Sequence, residues 1–312
     1  MCPNHNPDPD PILMDTILPF ESKFNTIGLV GKYRDKSAAL LIKQVSAWLA
    51  RHNIKTYCNE GLYYNNQETI DAAAILGNNC DLIIIFGGDG TFLSAARALH
   101  QFKIPLLGVN LGRLGFLADL SKTHLKTGLI EILEGKFIEE PRLLLNVQIK
   151  QTGFDELSSL ALNEVVIHQT DLARMIELNV FVNDEFLTTY WADGLIISSP
   201  TGSTAYALST GGPLMYPTLP AILMAPICPH TFSHRPIVIP SSAKVRIELA
   251  KNSKSSVKVT CDGQVLMPFN YGASLELNTQ DEDLCLLHPS DYSYFSILRE
   301  KLKWGHHPLH ER

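Results

Sequence analysis

Apolar residues along this chain follow two different periods, one on each side of Pro141. Before that residue, short apolar runs such as Leu82–Phe86 alternate with segments whose apolar residues recur every three or four positions, as in Lys36–His52. The runs are typical of strands covered on both faces, and the longer period is typical of amphipathic helices. The alternation therefore predicts a parallel sheet with helices on both faces.

Four strands and three helices are predicted in this first part. The strands are Thr26–Val30, Lys55–Cys58, Leu82–Phe86 and Pro105–Val109; the helices are Lys36–His52, Glu68–Leu76 and a segment after Gly90 with Phe92, Leu93, Ala96, Leu99 and Phe102 on one face. Ligands of such sheets bind at the carboxyl ends of the strands. The glycine turns that follow Phe86 and Val109 therefore mark a candidate site.

After Pro141 the pattern alternates with a period of two. Val245, Ile247 and Leu249 are each preceded by a polar residue, which is typical of half-buried antiparallel strands. The predicted fold class is an α/β N-terminal domain with a parallel sheet plus a mostly antiparallel β second domain, with a C-terminal helix (Tyr292–Trp304) returning to the first. The predicted bounds are a disordered leader at 1–22, the α/β domain at 23–140, the β-rich domain at 141–285 and a C-terminal segment at 286–312 that packs on the first domain.

The composition of the chain excludes some classes of binding partner. The 312 residues carry a net charge of −6, with no basic excess that would suggest nucleic acid. No apolar stretch approaches the roughly 20 residues that span a bilayer, and the leader lacks a secretory signal pattern. The six cysteines form no CxxC pair, which favours reduced thiols over a zinc or redox site. We therefore expect a cytoplasmic protein that binds neither nucleic acid nor membranes.

The most informative polar cluster is Gly87–Thr91, Gly-Gly-Asp-Gly-Thr, between a buried strand and an amphipathic helix. Free N–H groups and the dipole of a helix N-terminus suit phosphate. Asp89 would repel phosphate unless it holds a cation or accepts a proton from a hydroxyl, so the cluster indicates phosphoryl-transfer chemistry. The alternative is that Asp89 only caps the helix.

Two more clusters lie in the second part of the chain. Asn163 and Glu164 precede a buried strand and can hydrogen-bond a base edge and a sugar or metal. The segment Asp193–Tyr206 ends a strand in a loop rich in hydroxyl groups and glycine, which suits either a nucleotide or a Ser/Thr helix cap. Asp262–Gly263 is first a hairpin-turn signal, and Gln264 beside it could face a ligand. A Walker loop, a protein-kinase motif set and a complete G-x-G-x-x-G are all missing.

In order along the chain, these clusters resemble the NAD kinase family from about Thr26 to Trp304. The resembling segments are Gly87–Thr91, Gly108–Leu120, Leu162–His168, Asp193–Pro213, Pro229–Pro236, Cys261–Gln264 and His288–Phe295. The Gly-Gly-Asp-Gly turn is similar to that of phosphofructokinases and diacylglycerol kinases, and the Asn-Glu pair with Thr-Gly-Ser-Thr-Ala-Tyr narrows the choice. The resemblance implies transfer of the γ-phosphoryl group of ATP to the 2′-hydroxyl of the adenosine ribose of NAD, with Mg²⁺ as the divalent metal, in a cytoplasmic homo-oligomer (tetramer or dimer).

The resemblance also implies roles for single residues. Asp89 would be the proton acceptor, with Gly90 beside it in the ligand loop. The implied NAD-binding residues of the second part are Asn163, Glu164, Arg174, Trp191, Asp193, Thr204, Ala205, Tyr206, Ala207, Leu208, Ser209 and Gln264, with Arg174 contacting a phosphate across subunits. Trp191 departs from the family, because many bacterial relatives carry a basic residue there; Trp can stack on a ring but cannot pair with phosphate.

Some readings stay open at this point. No protein residue is assigned to the metal, and Arg113 in the second glycine turn is either a phosphate contact or a surface arginine. A non-catalytic NAD(P)-binding sensor, or a lipid or sugar kinase that shares the Gly-Gly-Asp-Gly turn, are the alternative functions.

Overall fold

The computed structural model describes residues 21–62, 67–112, 115–170, 175–231, 233–250 and 257–304. Their contacts divide the chain into two units: unit 1 contains the residues up to Glu140 and those from Cys285 on, and unit 2 is Pro141–Leu284. The predicted leader and the histidine-rich C-terminal end lie outside the described residues, except for Glu21 and Ser22. None of the described helices is long and apolar enough to cross a bilayer.

Unit 1 is built on a seven-stranded sheet with the order β2-β1-β3-β4-β19-β6, and β5 pairs with β4. Its strands are β1 (Thr26–Gly31), β2 (Lys55–Asn59), β3 (Leu82–Gly87), β4 (Leu106–Asn110), β5 (Leu120–Ser121), β6 (Phe137–Arg142) and β19 (Leu284–Pro289). Every pairing among β1 to β5, and that of β19 with β4, is parallel. The chain passes between the two units in β6 and β19.

The helices of unit 1 follow from the sequence pattern. They are α1 (Lys36–Arg51), α2 (Gln67–Asn79), α3 (Asp89–Leu99), α4 (Leu125–Leu133) and α6 (Tyr294–Leu302). Helix α1 begins after Asp35, whose carboxylate accepts the N–H groups of Ser37 and Ala38. Phe102, predicted on the apolar face of α3, lies instead in a short 3-10 turn, because the chain leaves the helix at His100 and reverses at Lys103, which has a left-handed φ of 56°.

Unit 2 consists of two six-stranded antiparallel sheets, β11-β10-β15-β18-β7-β8 and β14-β13-β12-β9-β16-β17. The first contains β7 (Leu145–Gln151), β8 (Leu157–Ala161), β10 (Ile176–Val182), β11 (Glu185–Ala192), β15 (Val245–Leu249) and β18 (Ala273–Thr279); the second contains β9 (Glu164–Gln169), β12 (Gly194–Ser198), β13 (Ala221–Ile227), β14 (Ile237–Pro240), β16 (Val257–Cys261) and β17 (Val265–Phe269). The four-residue helix α5 (Tyr206–Ser209) follows a 3-10 turn at Thr201–Thr204.

A hydrophobic core is shared by these two sheets. Alternate residues of the first sheet, such as Leu178 and Ile247, share this core with Ile167, Ile197 and Val259 of the second. Each of these side chains is fully buried, and burying a side chain of this size contributes roughly 1.5–3 kcal/mol. The predicted fold class is thus confirmed: a parallel α/β unit, an antiparallel β unit, and a C-terminal helix, α6, that belongs to unit 1.

Candidate active site

Asp89 lies where β3 turns into α3, and it is the first residue of that helix. The N-cap position belongs to Gly88, so the Asp89 side chain does not cap its own helix. Its carboxylate instead accepts two backbone N–H groups, Phe116 to Oδ2 and Leu117 to Oδ1, each at 3.1 Å. Asp89 is partly exposed and Gly90 is exposed. The helix-capping interpretation is therefore wrong, and the carboxylate is held in a fixed orientation within reach of solvent.

The second glycine-rich segment supplies those N–H groups. Gly115 packs against the Asp89 carboxylate so closely that a Cβ there would lie 2.1 Å from Oδ1. A side chain at this position would therefore displace the Asp89 carboxylate. The Asn110 side chain at the end of β4 donates to the carbonyl of Ala118 at 3.2 Å and accepts the N–H of Gly112 at 2.7 Å. β3 and β4 are paired parallel neighbours, so both glycine turns meet at one edge of the sheet, as predicted. Arg113 lies outside the described residues.

In unit 2, a second carboxylate accepts hydrogen bonds from backbone N–H groups. Asp262 and Gly263 form the turn between β16 and β17, with φ of 51° and 64°, as the hairpin signal predicted. The Asp262 carboxylate also reaches back to β9 and accepts the N–H groups of Leu162 (3.1 Å), Asn163 (2.8 Å) and Glu164 (3.2 Å). The Asp-Gly pattern in the sequence gives no sign of this second role. Asp262 thus fixes the segment that presents the Asn-Glu pair.

Glu164, next to Asn163, is a buried carboxyl whose pKa is raised. It is 7% exposed. Burial raises its pKa to about 7, the negative charge of Asp262 adds to the increase, and the backbone N–H of Tyr206 opposes it. Its Oε2 is buried and has no hydrogen-bond partner among the described residues. At neutral pH Glu164 can therefore exist in either protonation state and offer a hydrogen-bond donor or an acceptor to a polar ligand.

The hydroxyl-rich loop after β12 packs against the same segment. Ser199 donates its hydroxyl to the carbonyl of Leu162, and its N–H donates to the carbonyl of Asn163 at 2.9 Å. A Cβ at Gly202 would lie 2.2 Å from that Asn163 oxygen, so the loop can approach only with glycine at this position. The hydroxyl of Ser203 donates to Pro200 and accepts the N–H of Met215 at 3.0 Å.

These serines stabilise the loop itself, and they neither cap α5 nor face solvent. The N-cap of α5 is Ala205, which has no capping side chain, so the Ser/Thr-cap interpretation is wrong as well. Of the predicted NAD-binding residues in this loop, Tyr206 and Ser209 are exposed and Ala207 is buried; Thr204, Ala205 and Leu208 are intermediate. The exposed ring of Tyr206 is thus available to a ligand beside Glu164.

The other predicted NAD-binding residues of unit 2 lie outside the loop that follows β12. Asp193 precedes β12 and pairs with Gln169, whose side-chain amide is 3.4 Å from its carboxylate. Because β12 and β9 are antiparallel and Glu164 pairs with Ser198, Asp193 stands beyond the opposite end of β12 from Glu164, about 17 Å along the strand. Trp191 on the edge strand β11 is 51% exposed, and Gln264 is exposed beyond the Asp262 turn. Arg174 lies outside the described residues.

Comparisons with known proteins agree with this organisation. The family model described as ATP-NAD kinase N-terminal domain matches residues 27–137, and that described as ATP-NAD kinase C-terminal domain matches residues 162–287. An NAD kinase of Saccharophagus degradans is 42% identical over 290 residues, covering 92% of this chain and 98% of its own length. One of Shewanella halifaxensis is 40% identical over 285 residues, covering 90% and 92%.

Two solved structures share the fold. Yeast NADH kinase complexed with NADH matches with a TM-score of 0.79 at 23% identity, covering 93% of this chain and 89% of the yeast chain. An NAD kinase from Archaeoglobus fulgidus in complex with ATP matches with a TM-score of 0.69 at 23% identity, covering 89% and 98%.

Proposed function

This chain belongs to the NAD kinase family, and we propose that Asp89 is the proton acceptor of its reaction. The activity is phosphorylation of NAD to NADP with ATP as the phosphoryl donor. The γ-phosphoryl group goes to the 2′-hydroxyl of the adenosine ribose. The observation that carries the role of Asp89 is its carboxylate, partly exposed at the end of β3 and oriented by two backbone N–H groups.

The geometry of Asp89 suits late proton acceptance. Each carboxylate oxygen accepts one N–H group, and an ionised carboxylate has about four lone-pair sites. Each oxygen therefore keeps a site for an incoming hydroxyl. Phosphoryl transfer passes through a loose transition state, so catalysis rests mainly on positioning and on charge stabilisation. A carboxylate fixed before the substrate arrives provides positioning and takes the proton as the new O–P bond forms.

Unit 2 is proposed to bind the dinucleotide. Asn163 and Glu164 hold the adenosine part, with Thr204–Ser209 lining it and Gln264 beside it; Trp191, Asp193 and Arg174 serve the other parts of NAD. The buried Oε2 of Glu164, which has no hydrogen-bond partner among the described residues, supports this assignment, because a ligand that bonds to it removes the cost of an unsatisfied buried oxygen. The Asp262 carboxylate keeps the pair in place.

The metal is proposed to be Mg²⁺ carried by ATP. Mg²⁺ is usually bound through substrate phosphates and few carboxylates, not by a cage of protein ligands. The described residues include no group of three or more His, Cys, Asp and Glu side chains placed to hold a metal ion. Mg²⁺ that arrives on ATP would neutralise the charge of the phosphates, and we assign no protein ligand to it.

The assembly and location are part of the same proposal. A cytoplasmic homo-oligomer, a tetramer or a dimer, is implied by the family resemblance, with Arg174 facing a phosphate across subunits. The five cysteines among the described residues are free thiols, in keeping with a reducing compartment.

The test is NADP formation by the purified full chain from NAD, ATP and Mg²⁺, followed with an NADP-specific dehydrogenase. Parallel reactions replace NAD with diacylglycerol or a sugar phosphate, and ATP with polyphosphate. We expect NADP to form from NAD and ATP. Binding of NAD without NADP formation would overturn the proposal in favour of a sensor, and phosphorylation of lipid or sugar alone would overturn it in favour of another kinase.

A further inference from the structure

Three buried titratable side chains in unit 1 have no part in the mechanism above. His288 on β19 is 1% exposed, and the side chains of Asp119 and Glu140 on either side of it are each 7% exposed. Nδ1 of His288 is hydrogen-bonded to Oδ2 of Asp119 at 2.9 Å. Its Nε2 lies 3.4 Å from Oε1 of Glu140, an ion-pair contact without hydrogen-bond geometry. The imidazole is thus enclosed between two carboxylates.

The surroundings of His288 favour its charged form. Burial alone lowers its pKa, but the hydrogen bond to Asp119 and the charges of both carboxylates outweigh burial, and the net effect raises the pKa. The ring of Tyr292 stacks on the imidazole at 3.8 Å with an angle of 15°. An imidazolium held on three sides has one orientation, so Asp119 is fixed by it.

Asp119 belongs to the segment that orients Asp89. This segment runs from Gly115 to Asp119 and contains the N–H groups of Phe116 and Leu117 that hold the Asp89 carboxylate. Its other anchor is the carbonyl of Ala118, which accepts the N–H of Gly115 at 3.3 Å and the side chain of Asn110. Loss of the His288 anchor would free the Asp119 end of the segment, two residues after the Leu117 donor.

We propose that His288 is a positioning residue for phosphoryl transfer: through Asp119 it fixes segment 115–119, whose N–H groups orient the Asp89 carboxylate. The proposal rests on the proposed function, because it assumes that Asp89 accepts the proton. A misplacement of about 1 Å at a reacting group can cost on the order of 10²-fold in rate. The effect belongs to kcat, since His288 is not among the proposed NAD-binding residues.

The test compares His288→Gln with a matched control, His52→Gln. His52 is also a partly buried histidine of unit 1; its Nδ1 contacts the carbonyl of Trp48, away from the Asp89 turn. We expect His288→Gln to lower kcat about tenfold and to leave KM for NAD and ATP within about twofold. His52→Gln should retain the wild-type kcat. A His288→Gln enzyme with wild-type kcat would overturn the proposal.

A double variant separates positioning from general stability. Because His288 acts only through Asp89, adding His288→Gln to Asp89→Asn should lower kcat no further. A multiplied loss would show that His288 acts by another route and would overturn the proposal. If His288→Gln does not fold, Asp119→Asn keeps the side-chain size and removes the charge; it should also lower kcat at unchanged KM, and a wild-type kcat in that variant would overturn the proposal.

Hydrogen exchange gives a readout that does not depend on activity. Amides of segment 115–119 should exchange faster in His288→Gln than in the wild type or in His52→Gln, and unchanged exchange would overturn the proposal. A wild-type chain that forms no NADP would defeat the proposed function and leave this measurement interpretable. The two failures can therefore be told apart.

Discussion

Asp89 in unit 1 and Asp262 in unit 2 use the same interaction for different ends. Each carboxylate follows a strand and accepts backbone N–H groups from a segment far away in sequence, two for Asp89 and three for Asp262. Asp89 stays partly exposed, whereas Asp262 is 7% exposed and lies against Glu164. The difference teaches that exposure, more than bonding pattern, separates a carboxylate available for chemistry from one that shapes its neighbours.

The largest expected effect is that of Asp89→Asn. An amide cannot take the proton, and its NH₂ group would face one of the two N–H donors, so turnover should fall by about 10²- to 10⁴-fold. NAD affinity should survive, because the dinucleotide is proposed to bind through unit 2. Initial rates of NADP formation and calorimetric titration with NAD measure the two quantities.

The control for this variant lies at the other end of β3. Asp81 also accepts two backbone N–H groups, those of Asn25 (2.7 Å) and Thr26 (3.1 Å), and it precedes the strand. Asp81→Asn should therefore lower stability and leave kcat unchanged. Full turnover in a folded Asp89→Asn protein would contradict the assignment of the base.

Asp262→Ala should lower the stability of the protein. The substitution leaves the N–H groups of Leu162, Asn163 and Glu164 without their acceptor, at about 1–3 kcal/mol for each buried group. We expect the free energy of unfolding to fall by about 3–5 kcal/mol, measured by urea denaturation. Asp281 of the same unit is exposed, and Asp281→Ala should change stability by less than about 0.5 kcal/mol. Equal stability of the two variants would show that the hydrogen bonds to Asp262 do not stabilise the fold.

Glu164→Gln should change how the stability of the protein depends on pH, because it removes a buried carboxyl group. The folded pKa is about 7 against an ordinary value of 4.5, so the folded state binds more protons between these values. Wild-type stability therefore falls as pH rises from 4.5 to 7, by about 3 kcal/mol in all. The Gln variant lacks this loss, and its advantage over the wild type should grow from pH 4.5 to pH 8 in thermal unfolding without ligand.

An exposed glutamate gives the control for that titration. Glu185 begins β11 in the same unit and is exposed, so Glu185→Gln should follow the wild-type pH profile. A stability difference between Glu164→Gln and the wild type that stays constant from pH 4.5 to pH 8 would contradict the raised pKa.

Gln264→Ala should have the smallest effect on stability. The side chain is exposed one residue beyond the Asp262–Gly263 turn, so unfolding should change by less than about 0.5 kcal/mol. If Gln264 contacts NAD as proposed, KM for NAD rises several-fold with an unchanged KM for ATP. An unchanged KM for NAD would remove Gln264 from the site and leave the turn a purely structural element.

The fold could be read from the sequence because its signals are local. The Leu-Ile-Ile-Ile-Phe run of β3 and the alternation of β15 each record burial in a single element, and their bounds agree with the structure to within a residue or two. Asp89 could be proposed for the same reason, since a carboxylate at a helix N-terminus that suits phosphate is a local contradiction.

The parts of the candidate site that the sequence does not predict depend on contacts between residues far apart in the chain, which no local pattern records. Asp262 holds Leu162 from 100 residues away, and His288 meets Asp119 across 169. An Asp-Gly pair between strands predicts a hairpin and says nothing of where the carboxylate points. The serines after β12 suggested a nucleotide by their hydroxyl groups, yet Ser199 and Ser203 bind carbonyls of their own unit. Composition gives the groups that are available, and only packing decides which partners they take.

The place of β19 in its sheet sets the order in which the chain can fold during synthesis. This strand, Leu284–Pro289, lies between β4 and β6, although more than 140 residues separate it from β6 along the chain. Unit 2 is one continuous stretch and can form as soon as it leaves the ribosome, whereas the first sheet must wait with an open gap beside β4. Until the last strand arrives, an unpaired parallel edge is exposed to other chains. The N-terminal sheet is thus completed only by a strand that is synthesised after the whole of unit 2.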